Sequence, residues 1–111
     1  MDLEWKNAIS DYEFYLKIER GLSENTVKNY SLDIEALTKF IIENNIEEGP
    51  ADCSKATLQE FIYKFSKVVN SRSQARRISA LKSFFNFLIF EKIRNDSPAD
   101  LIESPKLGRK L

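Results

Sequence analysis

The chain has 111 residues, enough for one domain with a real core and too few for a second full domain beside it. Its 42% hydrophobic and 31% charged residues, with eight Phe, four Tyr and one Trp, fit a soluble globular protein and argue against disorder. There is no histidine and a single cysteine, which excludes His-based metal sites, Ser-His or Cys-His nucleophile pairs and any internal disulfide.

The start, MDLEWKNAIS, has neither a basic n-region nor an apolar h-region, and no apolar run reaches the roughly 18–20 residues of a membrane span. A cytoplasmic, membrane-free location is therefore expected. Zero net charge hides a division. Residues 1–60 carry 6 basic and 13 acidic side chains, residues 61–111 carry 11 basic and 4 acidic, and Phe61 to Phe90 contains no acid at all. Such asymmetry points to an anionic partner, although a solvated helix face explains it as simply.

The first helix is predicted over about 2–20. Trp5, Ala8, Ile9, Tyr12, Tyr15 and Leu16 keep the spacing of one face, and Gly21 supplies a left-handed stop. The second is predicted over 24–44, with Val27, Tyr30, Ile34, Leu37 and Ile41 inward. Ser23 is placed to cap it, and Leu22 sits opposite Val27 as a hydrophobic staple. Gly49-Pro50 breaks the chain.

A third helix is expected over 55–69, capped by Ser54 or Thr57, with Leu58, Phe61, Ile62, Phe65 and Val69 inward. The fourth follows over 72–94. Ser71 and Gln74 form a candidate capping box, and Ile78, Leu81, Phe85 and Leu88 face the core. Phe87 and Phe90 point elsewhere, and packing on the first helix or on the last is the simplest role for them. Ser97-Pro98 then opens a short helix over about 98–103. The pattern has no strands. Short connections make it an all-α bundle of four main helices and a small fifth.

Two outer faces are unusual. Opposite the core of the second helix lie Asn25, Lys28, Asn29 and Leu32, with Thr26 on the flank. Opposite that of the fourth lie Arg72, Arg76, Ser79 and Ser83, with Ser73, Arg77 and Lys82 on the shoulders. Each face begins at a helix N-terminus, where free amides and the helix dipole favour anions. Asn, Thr, Ser, Lys and Arg are also the types that reach base edges and phosphates. Arg72 and Arg76 have no acid at i±3 or i±4, so they are expected to be structurally idle. Exposed Asn or Lys needs no function, and a cap explains Ser23 without a ligand.

The wording of the chain narrows the choice. The blocks YLxxERGLSxNTxxxY (residues 15–30) and ISALKSFFNFL…NDSPADLIESPKL (residues 78–107) resemble the N-terminal core-binding domain of tyrosine recombinases, the Xer and phage-integrase group. The resemblance runs from about Trp5 to Leu107. It implies a SAM-like helical fold that forms half of a clamp around double-stranded DNA, with the second and fourth helices in successive major grooves. Carried over position by position, Asn25, Thr26, Lys28, Asn29, Arg72, Ser73, Arg76, Arg77 and Lys82 become DNA contacts. Leu32 fits this face poorly and either touches a thymine methyl or packs on the first helix.

The resemblance also implies other recombinase protomers as partners, no cofactor or metal, and residues 104–111 as the start of a linker to a catalytic domain. The family's chemistry uses a tyrosine nucleophile with arginines, a lysine and histidines. Tyr12, Tyr15, Tyr30 and Tyr63 all lie in amphipathic helices, and Tyr30 falls on a core face, so no catalytic residue is expected in this chain. A helical protein-interaction module without nucleic-acid binding is the alternative.

Overall fold

The computed structural model describes residues 2–103. Among them are four α-helices: α1 (Asp2–Phe14), α2 (Glu24–Glu43), α3 (Lys55–Lys64) and α4 (Ser71–Phe90), with a π turn, Tyr15–Glu19, continuing α1. No strand occurs among the described residues, and the fold is all-α as the periodicity predicts.

Helix starts follow the capping logic. Ser23 holds extended backbone angles and its Oγ accepts the Thr26 amide at 3.2 Å. Ser54 rather than Thr57 caps α3, accepting the Thr57 amide at 3.2 Å, while the Glu48 carboxylate accepts from the Ser54 amide and from the Thr57 hydroxyl. In α4 the expected Ser71–Gln74 box does not form. Asn70 is the cap, its Oδ1 accepting the Ser73 amide at 2.8 Å, and Gln74 is buried with its Nε2 donating to the Ile62 carbonyl.

Helix ends depart further from expectation. Gly21 stops the first helix at φ 61, as predicted. The fourth ends at Phe90 rather than Arg94. Lys92 takes φ 62, and the Lys92 and Ile93 amides return to the carbonyls of Ile89 and Leu88, a Schellman closure built without glycine. The third ends five residues early. Its carbonyls are taken by short-range turns, and the Ser66 hydroxyl donates to Tyr63 O at 2.7 Å. The predicted fifth helix is absent. Residues 98–101 form successive turns closed by Asp100 N–Ser97 O and Ile102 N–Ala99 O, which never reach an i→i−4 bond. Pro98, Ala99 and Ile102 are nevertheless buried. The tail expected to be irregular from Ser104 lies outside the described residues.

The core joins all four helices. Trp5 stacks on Phe84 with ring centres 6.1 Å apart, and Tyr12 meets Phe84 edge-on at 5.2 Å while its hydroxyl donates to Ser83 Oγ at 2.8 Å. Phe87, expected off the main core line, is buried against Tyr12 and Tyr15 of the first helix, and exposed Phe90 reaches Tyr15 at 5.7 Å. On the other side Phe61 lies between Phe40 and Phe65. Each fully buried phenylalanine among them, such as Phe61, Phe84 or Phe87, contributes about 2–3 kcal/mol by leaving water. After α4, Arg94 donates to the carbonyls of Pro50 and Cys53 at 3.0 Å each and lies over Phe85, which ties this segment to the α2–α3 loop.

Candidate nucleic-acid interface

The buried side of α4 is Gln74, Ala80, Leu81, Phe84, Phe85, Phe87 and Leu88, and Ile78 is only half-buried. The core face is therefore turned by roughly 60° from the line through Ile78, Leu81, Phe85 and Leu88. That rotation redistributes the basic residues. Arg72 remains exposed, and Lys82 is half-buried; neither makes an ion pair among the described residues. Arg77 turns inward. Its side chain is 13% exposed, and its guanidinium lies 4.9 Å from the centre of the Phe61 ring.

The expectation that Arg76 is structurally idle is wrong. Its Nε and Nη2 donate to Asp33 Oδ2 and Oδ1, each at 2.9 Å, in a two-point pair between α4 and α2. Arg77 Nε adds a longer contact to Asp33 Oδ1 at 3.4 Å. Asp33 is 1% exposed, so its charge is tolerable only because both oxygens are occupied. The bond to Asp33 in turn holds Arg76 above its ordinary pKa. Its partner lies 43 residues away in the chain, out of reach of any pairing by i±3 and i±4 helical spacing. The available signal was an aspartate between Tyr30 and Ile34, both assigned to the core side of the second helix.

The pair is where two rows of polar side chains meet. On α2, Asn25, Asn29 and Asp33 recur at four-residue spacing and share a flank, and on α4 Arg72 and Arg76 do the same. The start of α2 lies about 14 Å of helical rise from the junction, and that of α4 about 8 Å. Asn25 is exposed and Asn29 half-buried. Thr26, half-buried on the same flank, has its Oγ1 bonded to the capping hydroxyl of Ser23 at 3.0 Å. Ser73 is half-buried, its amide held by Asn70.

Lys28 stands apart. It lines a shallow depression between the first helix and α2 together with Glu13, Lys17, Glu24, Leu32 and Glu35, a lining with three carboxylates and two lysines. Leu32, 49% exposed, lines the same depression beside residues of the first helix. The nine predicted residues thus divide into Asn25, Thr26 and Asn29 on the α2 flank that leads to Asp33, Arg72, Ser73 and Arg76 in the first turns of α4 with Arg76 bonded to Asp33, inward Arg77 against the same carboxylate, outlying Lys28 and half-buried Lys82. No cluster of metal-ligating side chains occurs among the described residues, and no helix there is long and apolar enough to cross a membrane.

Comparison with known proteins adds the family. The phage integrase N-terminal SAM-like domain matches residues 9–92. The chain belongs to that family. The SAM-like domain described here is 39% identical over 109 residues to a tyrosine recombinase of Pseudothermotoga lettingae, an alignment covering 96% of this chain and 37% of that protein. It is 39% identical over 95 residues to tyrosine recombinase XerD of Haemophilus influenzae, covering 85% and 31%. Tyrosine recombinase XerC of Myxococcus xanthus is 29% identical over 103 residues, covering 93% and 34%. The chain spans about a third of the length of these relatives. No solved structure gives a significant match.

Proposed function

We propose that this SAM-like domain is the DNA-binding part of a tyrosine recombinase or integrase, acting in the cytoplasm on a recombination half-site. The N-terminal parts of α2 and α4 contact duplex DNA. Residues 1–103 form the binding domain, and residues 104–111 begin a linker to a catalytic domain. Strand cleavage and rejoining then belong to residues outside these 111, and other protomers of the recombinase are its protein partners.

The observation that carries the reading is the junction at Asp33. Two polar rows, one ending in Asn25 and the other in Arg72, are locked to each other and open toward the starts of their helices. Asparagine suits adenine, arginine suits guanine or phosphate, and free first-turn amides suit phosphate. Within residues 61–90 nothing acidic offsets this charge, and Asp33 is its one direct acidic partner among the described residues.

Fluorescence anisotropy of labelled duplex at low salt tests the proposal. Binding is expected, with log affinity falling linearly against log salt at a slope of about −0.9 per phosphate contacted. Indifference to duplex at every salt concentration would move the protein-interaction module ahead. Incubation with supercoiled DNA carrying a cognate site tests the division of labour, and a covalent protein–DNA adduct on this chain would refute it.

A further inference from the structure

Asp33 costs the domain a buried carboxylate and neutralises one of the two arginine charges held against it. Well-packed apolar residues usually stabilise such a position as well as an ion pair does. The geometry suggests a different return. Arg76 is bonded at two points yet keeps its side chain 37% exposed, so its Nε–Nη2 edge is held while both Nη1 hydrogens and the second Nη2 hydrogen remain as an unassigned fork. Arg77 is pressed onto Phe61 and touches the same carboxylate. Released from Asp33, the partly exposed Arg76 guanidinium would join Arg72 as a mobile cation, able to pair with phosphates of any sequence, while Arg77 stays seated on the Phe61 and Phe65 rings.

We infer that Asp33 is a specificity-determining positioning residue: it holds Arg76 away from indiscriminate phosphate pairing and fixes the orientation in which Arg76 meets DNA. The inference rests on the DNA-binding reading above. Phosphate contacts give affinity without sequence information, whereas a fixed donor fork reads base edges. By restraining the first, Asp33 widens the gap between cognate and arbitrary duplex.

The test uses the whole chain and a mixed-sequence duplex of about 30 base pairs, long enough to span several turns of the groove. Asp33→Asn keeps the size and one acceptor but removes the charge. It is expected to tighten binding by about threefold to tenfold and to steepen the salt slope by about 0.9 per phosphate newly contacted. Asp11→Asn, the same charge change at an exposed site on α1, controls for net charge and should leave the slope as it was. Overturning results are an Asp33→Asn protein, folded by circular dichroism, with affinity and slope no greater than wild type, or an equal gain from Asp11→Asn.

Should Asp33→Asn not fold, Arg76→Gln and Arg72→Gln decide. A restrained Arg76 predicts that its loss flattens the slope by less than half as much as loss of Arg72, and equal losses refute the restraint. Failure of the DNA-binding reading itself shows in the wild-type titration, as no binding to any duplex, and takes this inference with it.

Discussion

Asp33 on α2 and Arg76 on α4 meet in a two-point ion pair with both bonds at 2.9 Å, the carboxylate almost wholly buried and the guanidinium partly open to solvent. This relationship separates arginines that the sequence places side by side. Arg72→Ala should change unfolding free energy by less than about 0.5 kcal/mol, as for an ordinary surface site. Arg76→Ala should cost about 1–3 kcal/mol and Asp33→Ala about 3–5, because each leaves part of a buried charge network unpaired. Urea unfolding followed by circular dichroism ranks the three. Equal, small effects from Arg72 and Arg76 would mean that the pair does not persist in solution.

The exposed arginine is the sharper probe of DNA binding. If Arg72 reads a guanine, Arg72→Ala should weaken binding to the cognate half-site by about 1–3 kcal/mol. If it contacts phosphate, the loss should be similar for all sequences and the salt slope should flatten by about 1. Titrations against cognate and scrambled duplex distinguish the two, and binding unaffected on either duplex would remove Arg72 from the interface.

The two serine caps should not be equivalent. Ser23→Ala removes one amide partner and is expected to cost about 1 kcal/mol. Ser54 also donates to Glu48 Oε2 at 3.1 Å, within a network that includes the Thr57 hydroxyl. Ser54→Ala should therefore cost about 2 kcal/mol, since an acceptor on Glu48 is left without its donor. Thermal melts of the two variants compare them directly.

Cys53 offers a pH test. Burial, with Glu48 nearby, pushes its thiol up to about 12 from 9.0. Between those values the folded protein holds the proton and the unfolded chain releases it, so stability is intact below pH 9 and declines as pH rises toward 12. The slope is about 1.4 kcal/mol per pH unit from this group. Cys53→Ala should flatten the alkaline decline, and a thiol reagent at pH 8 should modify wild type only on unfolding. Rapid labelling of the folded protein would contradict the burial.

Much of the fold could be read from the chain because its signals are local. The starts of α2 and α3 are set by serine side chains, the first helix is stopped by a glycine, and buried positions such as Trp5, Ile34 and Phe61 follow helical spacing. The misreadings arise where a local rule yields to a distant partner or a rarer closure. Lys92 ends α4 in a conformation for which glycine is the usual signal, and Gln74 leaves the capping box to bond Ile62. At the interface, residue types and helix starts were legible. The sorting of Arg72, Arg76 and Arg77 into exposed, paired and inward positions was not, because Asp33 and Phe61 impose it from other helices.

The π turn at Tyr15–Glu19 carries a consequence for how the chain tolerates length changes. There the Arg20 amide reaches back five residues to Tyr15 O, and the Leu22 amide reaches six to Leu16 O, so one more residue is stored than an α-helical path would need. Excision of a single exposed residue such as Lys17 can be absorbed by relaxing the turn to ordinary α-helix, leaving Trp5 and Tyr12 upstream and Ser23 downstream in place. The same excision inside α2 would swing every later side chain by about 100° and pull Asp33 away from Arg76. Indel tolerance should therefore be concentrated in this one turn of the domain's helical framework.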